Sequence, residues 1–172
     1  MEPKINNTVI EKTIQFVKKT LAHDASGHDW LHIDRVHRLA LQIIKDEQLP
    51  CHTLTVELGA LLHDIADWKF HNDHDAGPKV AYNFLSQLHL SEDIINHVCQ
   101  IIREVSFKGA RVADEPSSYE CKIVQDADRL DAVGAIGIAR VFTYGGYTKQ
   151  PIYDPTITLE FHESFEQYKN KK

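Results

Sequence analysis

The sequence predicts an all-α protein, and three observations support this fold class. Apolar residues recur every three or four positions along most of the chain, as they do on the buried face of a helix. The alternation of apolar and polar residues that indicates half-buried strands is not found. Glycine and proline fall mainly between the periodic segments. We therefore expect a compact bundle of several helices around one core.

Local signals place the boundaries of the predicted helices. Pro50 follows the second apolar stripe and marks its end. Gly77 and Pro78 open the fourth helix, because a proline in the first turn costs no helix hydrogen bond. Ser91 is a suitable N-cap for the fifth. The predicted helices cover residues 8–21, 29–48, 53–63, 77–88, 91–104, 119–140 and 156–168.

The C-terminal third of the chain gives weaker signals. Residues 109–118 are polar and contain a proline, so we expect a loop there. The helix over 119–140 is expected to bend near Asp126, where carboxylates interrupt its apolar face. Gly145-Gly146 is expected to end this segment, and residues 150–155 to be irregular or extended.

Composition limits the classes of function. A chain of 172 residues fits one domain with one core. The net charge of −6 argues against a nucleic-acid polymer as a partner, because proteins that bind nucleic acids carry a basic surface. Three widely spaced cysteines favour neither a disulfide framework nor a cysteine-type zinc site. A signal peptide and a membrane span are not recognisable, so we expect a cytoplasmic protein.

A histidine and a carboxylate stand side by side where packing requires neither. His63-Asp64 ends the apolar run that begins at Gly59. Neighbouring helical residues point about 100° apart, so the pair can share a metal ion only with further ligands from elsewhere. Candidates on both sides share helix faces by their spacing: His28 and His32 upstream, and Asp126, Asp128 and Asp131 downstream.

Buried carboxylates support the metal hypothesis. Asp128 lies in an otherwise apolar helical segment, and a buried carboxylate costs several kcal/mol unless it is paired or bound to a cation. Arg129 could pair with one of the acidic residues, and a cation between them could satisfy more of them. The alternative for any single pair is a solvated helix face.

These residues resemble a known family. His32, His63, Asp64 and Asp128 match the H…HD…D signature of HD-domain metal-dependent phosphohydrolases. The segments GHDWLHIDRV, LHDIADWKF and QDADRLDAVGAIG are similar to those of a small bacterial subgroup, some of whose members hydrolyse nucleoside triphosphates to monophosphate and pyrophosphate. The similarity extends over residues 5–168, and it implies a helical bundle of the HD-domain type.

The resemblance implies a metal site and a domain layout. His32, His63, Asp64 and Asp128 are expected to bind one divalent ion, and this mixed nitrogen and oxygen set suits Mn, Fe, Co, Ni or Zn better than Mg. The whole chain, 1–172, forms one HD domain with its metal-site core at about 26–140. The segment 150–172 supplies a C-terminal helix, which usually continues further in the subgroup. A homodimer is also usual there.

Catalytic and substrate-binding roles are assigned to residues near these ligands. Asp64 is expected to act in catalysis as well as in metal binding, and Asp67, one turn beyond His63, to serve as a general base or to orient water. A helix C-terminal hydrogen bond is the alternative for Asp67. Three cations are expected to contact a substrate phosphate: Arg35, Lys69 and Lys108. For Arg35 a salt bridge to a carboxylate such as Asp131 is the alternative.

Two further sets of residues have less definite roles. His28 and Asp29 are expected to orient His32, because metal-bound histidines usually donate their second N–H to a carboxylate or carbonyl. The run His71-Asn-Asp-His-Asp reads as a solvated loop, with adventitious metal binding as the alternative. One metal is favoured over two, because the segment that carries Glu104 offers no histidine.

The sequence therefore predicts a metal-dependent hydrolase that cleaves a phosphoester or phosphoanhydride bond, with a small phosphate compound, preferably a nucleotide, as substrate. The first alternative is a catalytically weak HD module that senses a nucleotide or serves as a scaffold. The second is a metal oxygenase on the same scaffold, which would need a second iron and more histidine ligands. The sequence shows no glycine-rich phosphate loop that would identify the substrate.

Overall fold

A computed structural model describes residues 2–66, 73, 75–107, 111–112, 116–158, 163–164 and 166–167, with side chains from Asn6 onward. Within these ranges it contains α-helices, one short 3₁₀ helix at Ser86–Leu88, and no strand. The all-α prediction is therefore confirmed. The helices are α1 (Glu2–Thr20), α2 (Trp30–Glu47), α3 (Thr53–Leu62), α4 (Ala76–Leu85), α5 (Glu92–Val105), α6 (Tyr119–Asp131) and α7 (Gly134–Tyr147).

Helix α3 lies at the centre of the bundle. Residues 54–62 are all buried except Glu57, which is half-buried. Helices α1, α2, α5 and α6 pack around it. Gly59 permits the close approach of α5, since a Cβ atom at this position would lie 3.0 Å from Cγ2 of Ile101. The last residues of α3 are thereby held in the middle of the molecule, directly before His63.

Two apolar clusters meet at this central helix. The first joins α1, α3, α4 and α5, and Ile33 of α2 contributes to it. The second joins α2, α3, α5 and α6, with Ile101 and Val124 fully buried. Each fully buried aliphatic side chain stabilises the fold by roughly 1.5–3 kcal/mol. Both clusters therefore anchor the helices that carry the polar residues of the signature.

The expected single helix over 119–140 is wrong. The chain leaves helical geometry at Val133, which is extended, and Gly134 has φ +70°, so α6 ends at Asp131 and α7 starts separately. The break therefore lies well beyond Asp126, where a bend was expected. The reason is that the carboxylates face outward or toward one site without interrupting the backbone hydrogen bonds of α6.

Three other boundaries differ from the predictions. Helix α1 already begins at Glu2, and α7 continues through Gly145-Gly146 to Tyr147. Residues 156–158 and 163–164 are not helical, whereas Glu166 and Gln167 are; the other residues of that predicted last helix lie outside the described part. The outward face of α7 is apolar, with Ile138, Val141 and Phe142 about half exposed or more. None of the described helices is long and apolar enough to cross a bilayer.

Candidate metal centre

Four predicted ligands come together at the junction of three helices. His32 lies in the first turn of α2, His63 and Asp64 directly follow α3, and Asp128 lies in α6. His32 is fully buried and His63 is 6% exposed. The first turn of α2 is fixed by its N-cap, because Asp29 accepts a hydrogen bond of 3.0 Å from the backbone N–H of His32.

The donor atoms of these side chains point at one another. Nε2 of His32 lies 3.3 Å from Nε2 of His63, 3.2 Å from Oδ2 of Asp64 and 3.4 Å from Oδ1 of Asp128. Nε2 of His63 lies 3.4 Å from the same Asp64 oxygen and 3.7 Å from the same Asp128 oxygen. Two nitrogens and two oxygens thus surround one small volume.

These spacings fit a single bound ion. Ligand atoms held about 2.1 Å from one metal lie about 3.0–3.4 Å from each other at octahedral or tetrahedral angles. The ligand-type atoms of His32, His63 and Asp128 all lie within 4.8 Å of one another, the one such group among the described residues. The donor set and its spacing therefore suit a divalent ion.

The second nitrogen of each imidazole is already engaged. Nδ1 of His63 lies 2.8 Å from the backbone carbonyl of Ala60, which can only accept, so Nδ1 carries the proton. Nδ1 of His32 lies 2.8 Å from Oδ2 of Asp131. Both rings are thereby oriented with Nε2 toward the centre. This is the arrangement by which outer partners fix metal-binding histidines.

Electrostatics keep the carboxylates ionised. Burial alone would raise the pKa of Asp64 and Asp128, but the charge of His63 and the contacts of both imidazoles outweigh it and lower both pKa values. Burial would lower the pKa of His63, but the charge of Asp64 and the contact with Asp128 raise it well above the ordinary value.

A charged network supports the centre from behind. Asp131, 2% exposed, accepts hydrogen bonds from Nε of Arg35 at 2.6 Å and from its Nη2 at 3.0 Å. Nη1 of Arg140 lies 3.4 Å from Oδ2 of the same carboxylate. Burial would raise the pKa of Asp131, but the contacts with His32 and Arg35 lower it far below its usual range. Asp131 therefore stays charged and holds the His32 ring.

A cavity of about 390 Å³ opens onto the donor atoms. Its volume falls within the range of small-molecule sites, about 300–1,000 Å³. Acidic, basic and apolar side chains all contribute to its wall: His28, His63, Asp64, Val105, Ser106, Phe107, Asp128, Arg129, Ala132 and Arg140. A phosphate compound could thus approach the centre from this side.

The other predicted site residues have mixed outcomes. Arg35 is bound to Asp131, which is the salt bridge given as its alternative, and it does not line the cavity. Asp67, Lys69 and Lys108 lie outside the described residues. Asp126 is exposed and lines a separate groove between α2 and α6.

The residues expected to orient His32 do not bind its second nitrogen, although the His28 ring lies edge-on to the His32 ring with centroids 6.1 Å apart. Asp29 caps α2 through the backbone, and Nδ1 of His28 lies 2.8 Å from the hydroxyl of Ser26. The His32 ring is held by Asp131 instead. Of the supposed loop cluster, the two described acids pair with basic side chains: Asp73 with Lys79 and Asp75 with Arg103.

Arg140 is the site residue that the sequence did not suggest. It lies on α7, its Nε donates to the carbonyl of Gly27 at 3.1 Å, and its side chain is 18% exposed. Its neighbours in sequence are apolar, so its position gave no signal. Arg140 reaches the site because the chain breaks at Val133, which directs α7 toward the loop around Gly27.

Known proteins share this sequence and fold. The HD domain family model matches residues 30–133. YpgQ of Bacillus subtilis is 38% identical over 144 residues, which cover 83% of this chain and 69% of YpgQ. The structure of an HD-superfamily hydrolase from Bacillus thuringiensis is 46% identical with a TM-score of 0.66, over 89% of this chain and 73% of that one.

Two further solved structures are similar to this chain in sequence and fold. A protein from Lactobacillus plantarum is 36% identical with a TM-score of 0.79, over 95% of this chain and 74% of that one. The structure of Bacillus subtilis YpgQ in complex with ADP is 33% identical with a TM-score of 0.64, over 84% of this chain and 72% of that one. Since the family model matches more than half of the sequence and the relatives share its fold, this chain belongs to the HD-domain family and has the fold of the HD-superfamily hydrolases.

Proposed function

We propose that this protein is a metal-dependent phosphohydrolase that cleaves a phosphoester or phosphoanhydride bond of a nucleotide. The observation that carries the proposal is the convergence of Nε2 of His32, Nε2 of His63, Oδ2 of Asp64 and Oδ1 of Asp128 at the wall of a cavity. Their mixed nitrogen and oxygen character favours Mn, Fe, Co, Ni or Zn over Mg.

The bound ion would lower the pKa of water and neutralise phosphate charge, the two contributions that hydrolysis at phosphorus requires. The chain's own residues prepare the site for this chemistry. Asp131 and the Ala60 carbonyl hold both imidazoles, so that little reorganisation is needed on binding. Asp64 and Asp128 are largely buried and stay ionised, which strengthens their attraction for a cation.

Two acids are proposed for the proton chemistry. Asp64 lies at the cavity wall, where it can accept a hydrogen bond from a water molecule beside the phosphate. Asp67, one turn beyond His63 in sequence, is the second candidate for a general base. If Asp67 acts as a base, Asp67→Asn will lower kcat while metal content stays at the wild-type level. Loss of bound metal in this variant would instead indicate a role in the metal site.

A nucleotide is the proposed substrate class. The relative YpgQ was crystallised with ADP, and its fold covers most of this chain. The cavity combines arginines with apolar side chains, as a site for a phosphate group and a base would require. Cleavage of a nucleoside triphosphate to monophosphate and pyrophosphate is the specific reaction that we favour.

Release of phosphate and pyrophosphate from a panel of nucleotides with added Mn²⁺ tests the proposal. Wild type should turn over at least one nucleotide. His63→Ala should lose about 10³-fold or more in rate, because it removes a metal ligand. His23→Ala, which changes an exposed histidine in the turn after α1, is the matched control. Nucleotide binding without turnover by metal-loaded wild type would favour a sensing module and contradict the enzyme.

We also propose that two copies associate through the outward face of α7. Ile138 is 62% exposed, Val141 is 68% exposed, and Phe142 beside them is 49% exposed. Contiguous exposed apolar surface of this kind marks interaction sites. Val141→Asp should convert a dimer to a monomer in light scattering, and a wild-type monomer at micromolar concentration would contradict this proposal.

A further inference from the structure

We propose that Arg140 binds a phosphate group of the nucleotide in the cavity beside the metal centre. This inference rests on the proposed function, because it names the residue that recognises the substrate's charge at the same site. Arg140 lines the cavity together with Asp64 and Asp128. It comes from α7, whereas the donor atoms come from α2, α6 and the residues after α3.

The side chain of Arg140 is anchored before any ligand arrives. Its Nε donates to the carbonyl of Gly27 at 3.1 Å, and its Nη1 lies 3.4 Å from Oδ2 of Asp131. Only 18% of the side chain is exposed. Among the described residues, the hydrogen bonds of this guanidinium involve its Nε alone. A guanidinium fixed in this way loses little rotational freedom when it binds an anion, which favours recognition of phosphate.

Asp131 pairs unequally with two arginines. Two guanidinium groups, those of Arg35 and Arg140, contact this single carboxylate. Arg35 forms the closer pair, with contacts of 2.6 and 3.0 Å to both carboxylate oxygens. Asp131 is therefore neutralised mainly by Arg35. Arg140 makes only the longer contact of 3.4 Å with this carboxylate, so its half-buried guanidinium can still contact an anion at the cavity wall.

The other cations near the centre fit this role less well. Arg35 pairs with Asp131 and does not line the cavity. Arg129 lines the cavity, but it is exposed and also borders the groove between α2 and α6. Asp64 and Asp128 would repel a phosphate in the absence of a cation. A divalent ion held by these carboxylates and the two imidazoles would offset their charges, and an anion in the cavity could then contact Arg140.

The test is binding of a non-hydrolysable nucleotide, α,β-methylene-ADP, to the Mn²⁺-loaded protein by calorimetry. Arg140→Gln should raise the Kd about 10- to 100-fold, the loss typical of one charge-assisted contact. Arg140→Lys should give an intermediate Kd, because lysine keeps the positive charge but lacks the paired N–H donors of the guanidinium. Binding of adenosine should not weaken. Arg38→Gln, at an exposed residue of α2 paired with Asp34, is the control and should leave the Kd unchanged.

Arg35→Gln separates direct contact from an effect through Asp131. If Arg35→Gln weakens binding of the analogue as much as Arg140→Gln does, Arg140 acts through the carboxylate of Asp131 and the inference is overturned. Wild-type affinity in Arg140→Gln, or no binding by wild type, would also overturn it. If Arg140→Gln fails to fold, Arg140→Lys is decisive, and an unchanged Kd in it contradicts the inference. Binding that depends on Arg140 in a protein that hydrolyses no nucleotide would support the inference and refute only the proposed enzyme activity.

Discussion

Asp131 Oδ2 lies 2.8 Å from Nδ1 of His32, while Nε2 on the other side of that ring lies 3.2 Å from Asp64. The carboxylate thus acts on the centre without being a ligand. Since Arg35 also binds it, α2 and α6 are joined twice at the same point. This contact explains how the bundle places an imidazole nitrogen with the accuracy that a metal site requires.

Asp131→Asn should weaken Mn²⁺ binding about 10- to 100-fold without abolishing it, the usual cost of losing a partner of a metal-bound histidine. Competition with a chelating dye measures the affinity. Asp126→Asn, at an exposed acid of the same helix, is the matched control. Equal affinities for the two variants would contradict the role of Asp131.

Removal of metal should lower thermal stability. An ion that binds only the native state adds RT ln(1 + [M]/Kd), about 2.7 kcal/mol at a concentration of 100 Kd. For a chain of this size a melting temperature lower by about 5–10 °C after treatment with a chelator is expected, with recovery on adding Mn²⁺. His63→Ala should melt at the same temperature with and without Mn²⁺. A metal-dependent shift of wild-type size in this variant would place the ion elsewhere.

Gly77→Ala should destabilise the fold by about 1–3 kcal/mol, because the new Cβ would lie 2.8 Å from the backbone carbonyl of Ile65, just after the ligand pair. Gly145→Ala is the control, since a Cβ in that helical position meets nothing within 4 Å and should stabilise α7 by up to about 1 kcal/mol. Urea denaturation measures both. The account of the close packing would be wrong if the two substitutions had the same sign.

Acid pH should weaken the hydrogen bonds that join Ser117, just before α6, to Glu104 of α5. Burial raises the pKa of Glu104, but hydrogen bonds from Ser117 and Gln100 outweigh it and lower the pKa below its ordinary 4.5. Because the folded pKa is depressed, the stabilisation is complete above about pH 4.5 and disappears as pH falls through the lower, folded value.

Glu104→Gln should therefore cost about 1 kcal/mol at pH 7, as expected for a partly exposed charged acceptor, and less at pH 3. Urea unfolding of both proteins at the two pH values gives the difference. Glu11→Gln, at an exposed site on α1, is the control. A cost of Glu104→Gln that grows toward acid pH would contradict the depressed pKa.

The sequence was sufficient to predict the fold class and the convergence of the donor atoms. Periodic apolar residues define helices such as α2 and α5, whose caps and ends are local. The resemblance to the HD-domain family singled out His32, His63, Asp64 and Asp128 from the wider set of candidate ligands. Packing of the helices places Nε2 of each imidazole within 3.2–3.7 Å of the carboxylate oxygens and 3.3 Å from the other Nε2.

The supporting residues could not be assigned in the same way. Asp128 and Asp131 share a face of α6, and nothing in their spacing tells which oxygen reaches the metal position and which reaches Nδ1 of His32. The position of Arg140 at the site depends on the break before Gly134. The apolar periodicity across 119–140 gives no sign of this break. Such roles arise from contacts between segments about a hundred residues apart, and spacing along the chain does not encode them.

The most direct test of the central claim is the crystal structure of the protein grown with Mn²⁺, with an anomalous difference map at the manganese edge. We expect one strong peak about 2.0–2.3 Å from Nε2 of His32, Nε2 of His63 and carboxylate oxygens of Asp64 and Asp128. A peak bound elsewhere, or a metal-saturated crystal in which the imidazole of His32 and the carboxylate of Asp128 share no ion, would contradict the account.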